Sequence, residues 1–384
     1  MMKFSFTNYI NMKKQIAISF SVFAVITIVV FAACSKSGSS TTGPVGNPST
    51  GTDSVLSNLG KNIILPSYQQ LSASASSLDA SVTAFNTSPN ETSLADVQQK
   101  FKDAYTNWAA CSEFEFGPAD DQSLTTHFTN SFPADTNIIN SNINGATYAI
   151  DGINNFAAQG FPAIDYLLFS GGTSHVLARF TTGATAAGAK KYLSDVTASL
   201  KSKTAAVAAA WADTYLDQFI KNTGTDAGSS LSLLVNAYVK DFDVTLQNYK
   251  IGIPIGLYGM NVLPKAPGKV EAYYSGISDA LLVAQVQACQ NIYTGGSGKS
   301  LDDKVIATGV QKDGAPLNVA INNQLATLLT KMQALPQPLS QGVANGDQKI
   351  NDAYNEVRQM TVLLKVDMCS ALGIRISFSD DDGD

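Results

Sequence analysis

Two histidines, His127 and His175, are the only imidazoles available for general-base or metal chemistry. Neither belongs to a His-Glu-x-x-His run, the spacing that turns two imidazoles toward one zinc ion on a helix face. Each stands alone in a polar segment, where a solvated imidazole is the expectation. The run Gly295-Gly296-Ser297-Gly298-Lys299-Ser300 invites comparison with a phosphate-cradling loop. Tyr293 stands where that motif's leading glycine belongs, and no strand pattern precedes it, so the run is expected to be a loop between helices. There is no Gly-x-Ser-x-Gly run either, so no nucleophile elbow is indicated.

The other reactive side chain of note is a cysteine near the N-terminus. Lys13 and Lys14 precede an apolar stretch from Ile16 to Ala33, which ends in Ala32-Ala33-Cys34. A positive start, an apolar middle and small residues before the cut mark a secretory signal. A cysteine directly after the small residues resembles a lipobox, whose thiol is acylated. Residues 1–33 are therefore expected to be a lipoprotein signal peptide, with Cys34 joined to membrane lipid. The alternative is a bilayer-spanning anchor, since about 18 apolar residues just suffice to span. Residues 34–53 are mostly Ser, Thr, Gly and Pro, the composition of a tether that buries no core. Ser35 resembles the sorting residue of outer-membrane lipoproteins, so the periplasmic face of that membrane is the expected location.

Removing Lys3, Lys13 and Lys14 leaves 22 basic residues against 31 acidic ones, a net charge near −9. That balance disfavours nucleic acid and polybasic membrane adhesion. Beyond Cys34 only Cys111, Cys289 and Cys369 remain. Three cysteines make no disulfide scaffold, and their apolar helical neighbours predict buried free thiols.

Elements that could position any site are helical nearly throughout. Leu94, Val97, Phe101, Tyr105 and Trp108 recur at spacings of three and four, with Ser93 and Asp96 as the expected N-terminal cap. Further helices are predicted over 54–86, 189–222, 231–250, 274–293, 317–335 and 341–372, and a strand over 374–378. Two irregular stretches, 118–155 and 252–268, interrupt the pattern. Loops of that length within a domain are often functional. The expected class is all-α, a helical-bundle domain over 54–384 with halves of about 54–222 and 223–384.

The segment Gly160-Phe161-Pro162-Ala163-Ile164-Asp165-Tyr166-Leu167-Leu168 resembles the signature of the imelysin family, an insulin-cleaving-peptidase-like group of bacterial envelope proteins. That signature reads Gly-x-His-x-x-Glu, then an aromatic and two leucines. Trp108 followed by Glu113-Phe114-Glu115-Phe116-Gly117-Pro118, Phe132-Pro133, and Glu271 with Ser275-Gly276-Ile277-Ser278 are similar to further family segments. So is the ending, Leu372-Gly373 and then Phe378 to Asp384. The resemblance implies two helical bundles related by internal duplication, with the signature on a helix at the cleft between them.

This chain departs from the signature at its two reactive positions. Pro162 replaces the histidine and Asp165 the glutamate. Positions three apart share a helix face, which would let an imidazole and a carboxylate hold one metal or one proton. Proline has no donor, acceptor or titratable group, and fits a first helical turn. What remains is a set of oxygens, Glu113, Glu115, Asp165 and Glu271 with Ser275 and Ser278, which would suit ferric iron or calcium if they converge. The alternative is that these carboxylates end helices or form salt bridges and that Ser275 caps a helix. The acidic end Asp380–Asp384 is expected to be solvated, with calcium as the alternative.

The resemblance implies a non-catalytic envelope binding protein with a degenerate signature, serving iron, another metal or a haem-related ligand together with uptake components. The alternatives are an imelysin-type peptidase, for which no activated nucleophile or water is visible, and a structural partner of another envelope protein.

Overall fold

The structure, a computed structural model, describes residues 51–145, 147–259 and 261–378. The expectations for the signal segment, Cys34, the tether as far as residue 50 and the acidic end lie outside the described residues.

Three long helices form the N-terminal group. A continuous helix over 52–87 passes through one π-helical turn, Gly60–Ile64, and ends before Pro89. Its buried stripe is Tyr68, Leu71, Ala75, Leu78, Val82 and Phe85. The helix Glu91–Ala109 buries Leu94, Val97, Phe101, Tyr105 and Trp108, as their spacing requires. It starts one turn earlier than Ser93 suggested. The Asn90 side chain accepts from Ser93 N while Ser93 Oγ accepts from Asn90 N. Asp96 instead accepts a hydrogen bond from Ser81. The third helix, Ala186–Ala210, continues through a π turn to Lys221 and packs, with Glu91–Ala109, against Leu65–Thr87.

The C-terminal group contains Ser230–Lys240 with its π-helical continuation Asp241–Gly252, then Ser278–Thr294, Leu317–Gln333 and a helix over 348–372. The predicted 341–372 helix is two helices. Gly346 adopts φ +70° and Asp347 caps the second by accepting from Lys349 N. The 374–378 segment forms no strand among the described residues. Asn236 holds it instead, accepting from Ser377 N and donating to Arg375 O.

Within 118–155 lie three short helices, Pro118–Asp121, Thr126–Thr129 and Thr136–Ile143. Asparagines pin this stretch, Asn142 donating to Asn155 Oδ1 and Asn155 to Ile150 O. The 252–268 stretch carries a two-residue-per-strand hairpin, Leu257↔Val262. Helices Thr173–Thr181 and Leu301–Thr308 had no clear sequence signal. The glycine run is a loop, as expected, and Asn58 of the first helix donates to its carbonyls at Gly295 and Lys299.

Both tryptophans are fully buried, with Tyr68, Tyr105, Tyr192, Tyr238 and Tyr293. Cys111, Cys289 and Cys369 are buried free thiols. Among the described residues no helix is long and apolar enough to cross a membrane.

Candidate functional site

The segment Gly160–Phe169 forms a helix in which all but Tyr166 and Phe169 are buried. Pro162 occupies the first turn, where its missing N–H costs nothing. Phe161 stacks flat on Tyr105, ring centres 4.4 Å apart and planes at 4°. Gly160 has φ +64°, and a Cβ there would stand 2.0 Å from the Thr129 carbonyl oxygen. Glycine thus lets the 126–130 turn press against the start of this helix. At the other end Arg179 donates to the carbonyls of Tyr166 and Leu167 and to Ser170 Oγ, satisfying the last-turn acceptors.

Asp165 points out of this helix toward the second half of the chain. Its Oδ2 accepts from Tyr274 N and its Oδ1 from Ser275 N, both at 2.9 Å. Both carboxylate oxygens therefore hold backbone of the turn that leads into Ser278–Thr294. Burial pushes the Asp165 carboxyl up to about 6, with the two amides opposing. Asp165→Ala should leave both amides without their acceptor and cost about 1–3 kcal/mol. Urea midpoints of the variant against wild type measure this, and an unchanged midpoint would mean that water replaces the carboxylate freely.

Beside this clamp runs a buried polar chain. Tyr105 donates to Asn130 Oδ1, and Asn130 Nδ2 donates to Glu271 Oε1 at 2.6 Å. Glu271 Oε2 lies 3.0 Å from Lys250 Nζ, each side chain being 1 % exposed. Lys250 donates to Gln285 Oε1 at 2.6 Å, and Gln285 Nε2 donates to both oxygens of Asp241 at 2.7 Å. The Cys289 thiol lies 3.7 Å from Asp241. Elements from both halves of the chain are joined here by groups that burial makes expensive to separate.

Glu113, on the turn Ser112–Phe114, is 1 % exposed, and neither of its oxygens has a hydrogen-bond partner among the described residues. Burial raises its carboxyl well above the ordinary glutamate range. Asp241 adds to the rise, and the residue's own backbone N–H and then Lys250 oppose it. Asp241 is itself raised to about 6 by burial, opposed by Lys250 and Gln285. Three buried carboxyls, Glu113, Asp241 and Glu271, thus share one ammonium, and Glu271 is the one that lies 3.0 Å from it.

The expected oxygens are therefore distributed over separate tasks. Asp165 binds amides and Glu271 pairs with Lys250. Glu115 accepts from Thr126 N and lies 3.6 Å from Lys240. Ser278 Oγ donates to the Glu271 carbonyl, and Ser275 Oγ lies 3.4 Å from Ala272 O. Among the described residues no three His, Cys, Asp or Glu side chains are grouped to hold a metal ion. The carboxylate set as a single ligand cluster is thus not what the geometry brings together. Sequence reasoning missed Asp241, Lys250, Gln285, Asn130 and Tyr105. Lys250 was visible only as a charge at the end of a helical stripe.

A cleft of about 710 Å³ opens alongside. One wall is the first irregular stretch, with Glu115, His127, Phe128 and Phe132. The opposite wall is the 240–253 helical segment, with Val244 and Tyr249, and Lys269 stands at the edge. His127 is exposed, stacks on Phe156 with ring centres 4.7 Å apart and planes at 18°, and meets Phe128 edge-on.

The family model for imelysin matches residues 64–364. Among solved structures, an imelysin-like protein from Psychrobacter arcticum 273-4 superposes with a TM-score of 0.66 at 17% identity, covering 86% of this chain and 98% of that one. A protein described as an iron-regulated protein A precursor, from Parabacteroides distasonis ATCC 8503, gives 0.68 at 21% identity, covering 87% and 97%. Both share the fold. Among curated proteins no match to the chain is found.

Proposed function

Since the chain belongs to the imelysin family, we propose that it is a non-catalytic binding protein of the bacterial envelope that serves iron acquisition. Its ligand on this reading is iron, another metal or a haem-related molecule, and the cleft beside His127 is where it sits. The observation that carries the reading is the state of the signature. Proline replaces its imidazole, and Asp165 commits both oxygens to the amides of Tyr274 and Ser275, so the segment joins structure instead of activating water. The relative described as iron-regulated supports the choice of iron. Lipid on Cys34 would hold the domain at the outer membrane, on its periplasmic face. Palmitate incorporation that disappears in Cys34→Ala checks the anchor.

The test of function is calorimetric titration of the detergent-solubilised full chain with ferric iron, copper, zinc, calcium and ferric protoporphyrin IX, beside incubation with a broad peptide library. Saturable binding of iron in one of its forms without peptide cleavage is the expected result. Cleavage that Asp165→Ala abolishes would establish the peptidase alternative instead, and no binding of any iron form would end the acquisition reading.

A further inference from the structure

We propose that the cleft takes its metal already chelated, as a flat conjugated complex carrying acidic groups, with the His127 imidazole as the one protein ligand to the metal. This rests on the iron reading above and narrows it to a ligand class.

A bare hard cation needs about six oxygens around it. Of the carboxylates around this cleft, Glu115 is committed to Thr126 N and Lys240, and Glu271 behind it to Asn130 and Lys250, which leaves exposed Asp120 as the one lining carboxylate without such a partner among the described residues, far short of that number. Stripping Glu271 from Lys250 would leave a buried ammonium short of its counter-charge, which costs more than a weak metal contact returns. A chelate removes that demand, because it brings all but one or two of its donors with it.

His127 suits the position left open. Its ring is set by the flat stack on Phe156 and the edge contact with Phe128. Neither ring nitrogen makes a hydrogen bond among the described residues. A neutral imidazole can therefore give a nitrogen lone pair to a metal without first breaking a protein bond, as a proximal histidine does to haem iron.

The walls point to the organic part of the ligand. Phe128, Phe132 and Val244 present apolar surface, from which a hydrated ion gains nothing and a conjugated ring system gains burial and stacking. The volume, about 710 Å³, falls within the range of small-molecule and cofactor sites. At the edge, exposed Lys269 makes no ion pair among the described residues and is free to meet an acidic group.

The probes are ferric protoporphyrin IX, metal-free protoporphyrin IX and ferric citrate, each added to the full chain in detergent and to its His127→Ala variant. The variant in the same detergent controls for porphyrin partitioned into micelles. Ferric protoporphyrin should bind one to one with the absorption and spin-state signature of imidazole ligation. His127→Ala should erase that signature and weaken binding roughly tenfold or more, while leaving the affinity for metal-free protoporphyrin unchanged. Lys269→Ala should weaken both porphyrins. Saturable uptake of iron from citrate without porphyrin binding would overturn the chelate while leaving iron acquisition standing. Porphyrin binding indifferent to His127→Ala would overturn the assignment of this cleft. Binding of none of the three would overturn the iron reading itself.

Discussion

Lys250→Met should destabilise the folded domain by about 3–5 kcal/mol, the range for removing one member of a buried ion pair. The ammonium lies 3.0 Å from Glu271 Oε2 and 2.6 Å from Gln285 Oε1. Without it, Glu271 and Asp241 remain buried, and Asn130, Gln285 and the Cys289 thiol are their remaining side-chain hydrogen-bond partners among the described residues. Methionine fills similar volume, so little of the loss should come from packing. Adding Glu271→Gln should recover a large part of it, because the second change removes the stranded charge. Chemical unfolding of the two single variants and the double variant gives the coupling directly. A single variant within about 1 kcal/mol of wild type would mean that the pair is wetted in solution.

Glu113→Gln should act in the opposite direction at neutral pH and above. The folded protein holds Glu113 protonated well above the pH at which the unfolded chain releases that proton. Folding thus takes up a proton over the interval between the two values, and stability falls as pH rises through it. Glutamine keeps the shape and is neutral throughout, so the variant lacks that part of the decline. Its melting temperature should match wild type near pH 4 and exceed it from neutral pH upward. The slope contributed by Asp165, raised to about 6 by burial, remains in both proteins and cancels in the comparison. The infrared carbonyl band of a protonated carboxyl, present in wild type and weakened in the variant, is the independent check. A variant less stable than wild type at pH 8 would show that Glu113 is ionised and helps to neutralise Lys250.

The sequence makes the helices legible because apolar periodicity along a helix is a local property. Leu94, Val97, Phe101, Tyr105 and Trp108 announce their face, and all five are buried. The Gly160–Phe169 helix is legible from the signature, and Pro162 in the first turn follows from its ring. The partners of Asp165 were not legible. They are backbone amides at Tyr274 and Ser275, and an amide is carried by every residue but proline, so residue type gives no sign of it. The Asn90 cap was overlooked because an asparagine after proline reads equally well as part of the turn. Glu113 and Glu271 were singled out as candidate ligands, yet the groups that decide their state, Asp241 and Lys250, lie on a helix whose buried side the α-helical period does not describe.

That helix has a further bearing on how chains of this kind are compared. Asp241 and Lys250 both reach Gln285, although they are nine residues apart in sequence. At about 3.6 residues per turn, nine residues make two and a half turns and would place them on opposite sides. The wider turns of the π-helical stretch Asp241–Gly252 bring nine residues to roughly two turns and return the lysine to the side of the aspartate. The pairing is therefore encoded by chain length as much as by residue identity. A relative with the same spacing but regular α-helical turns between these positions would align an acid and a lysine correctly and still place them on opposite sides. Conversely, an inserted residue elsewhere in such a helix can create a polar site with no substitution at the residues that form it.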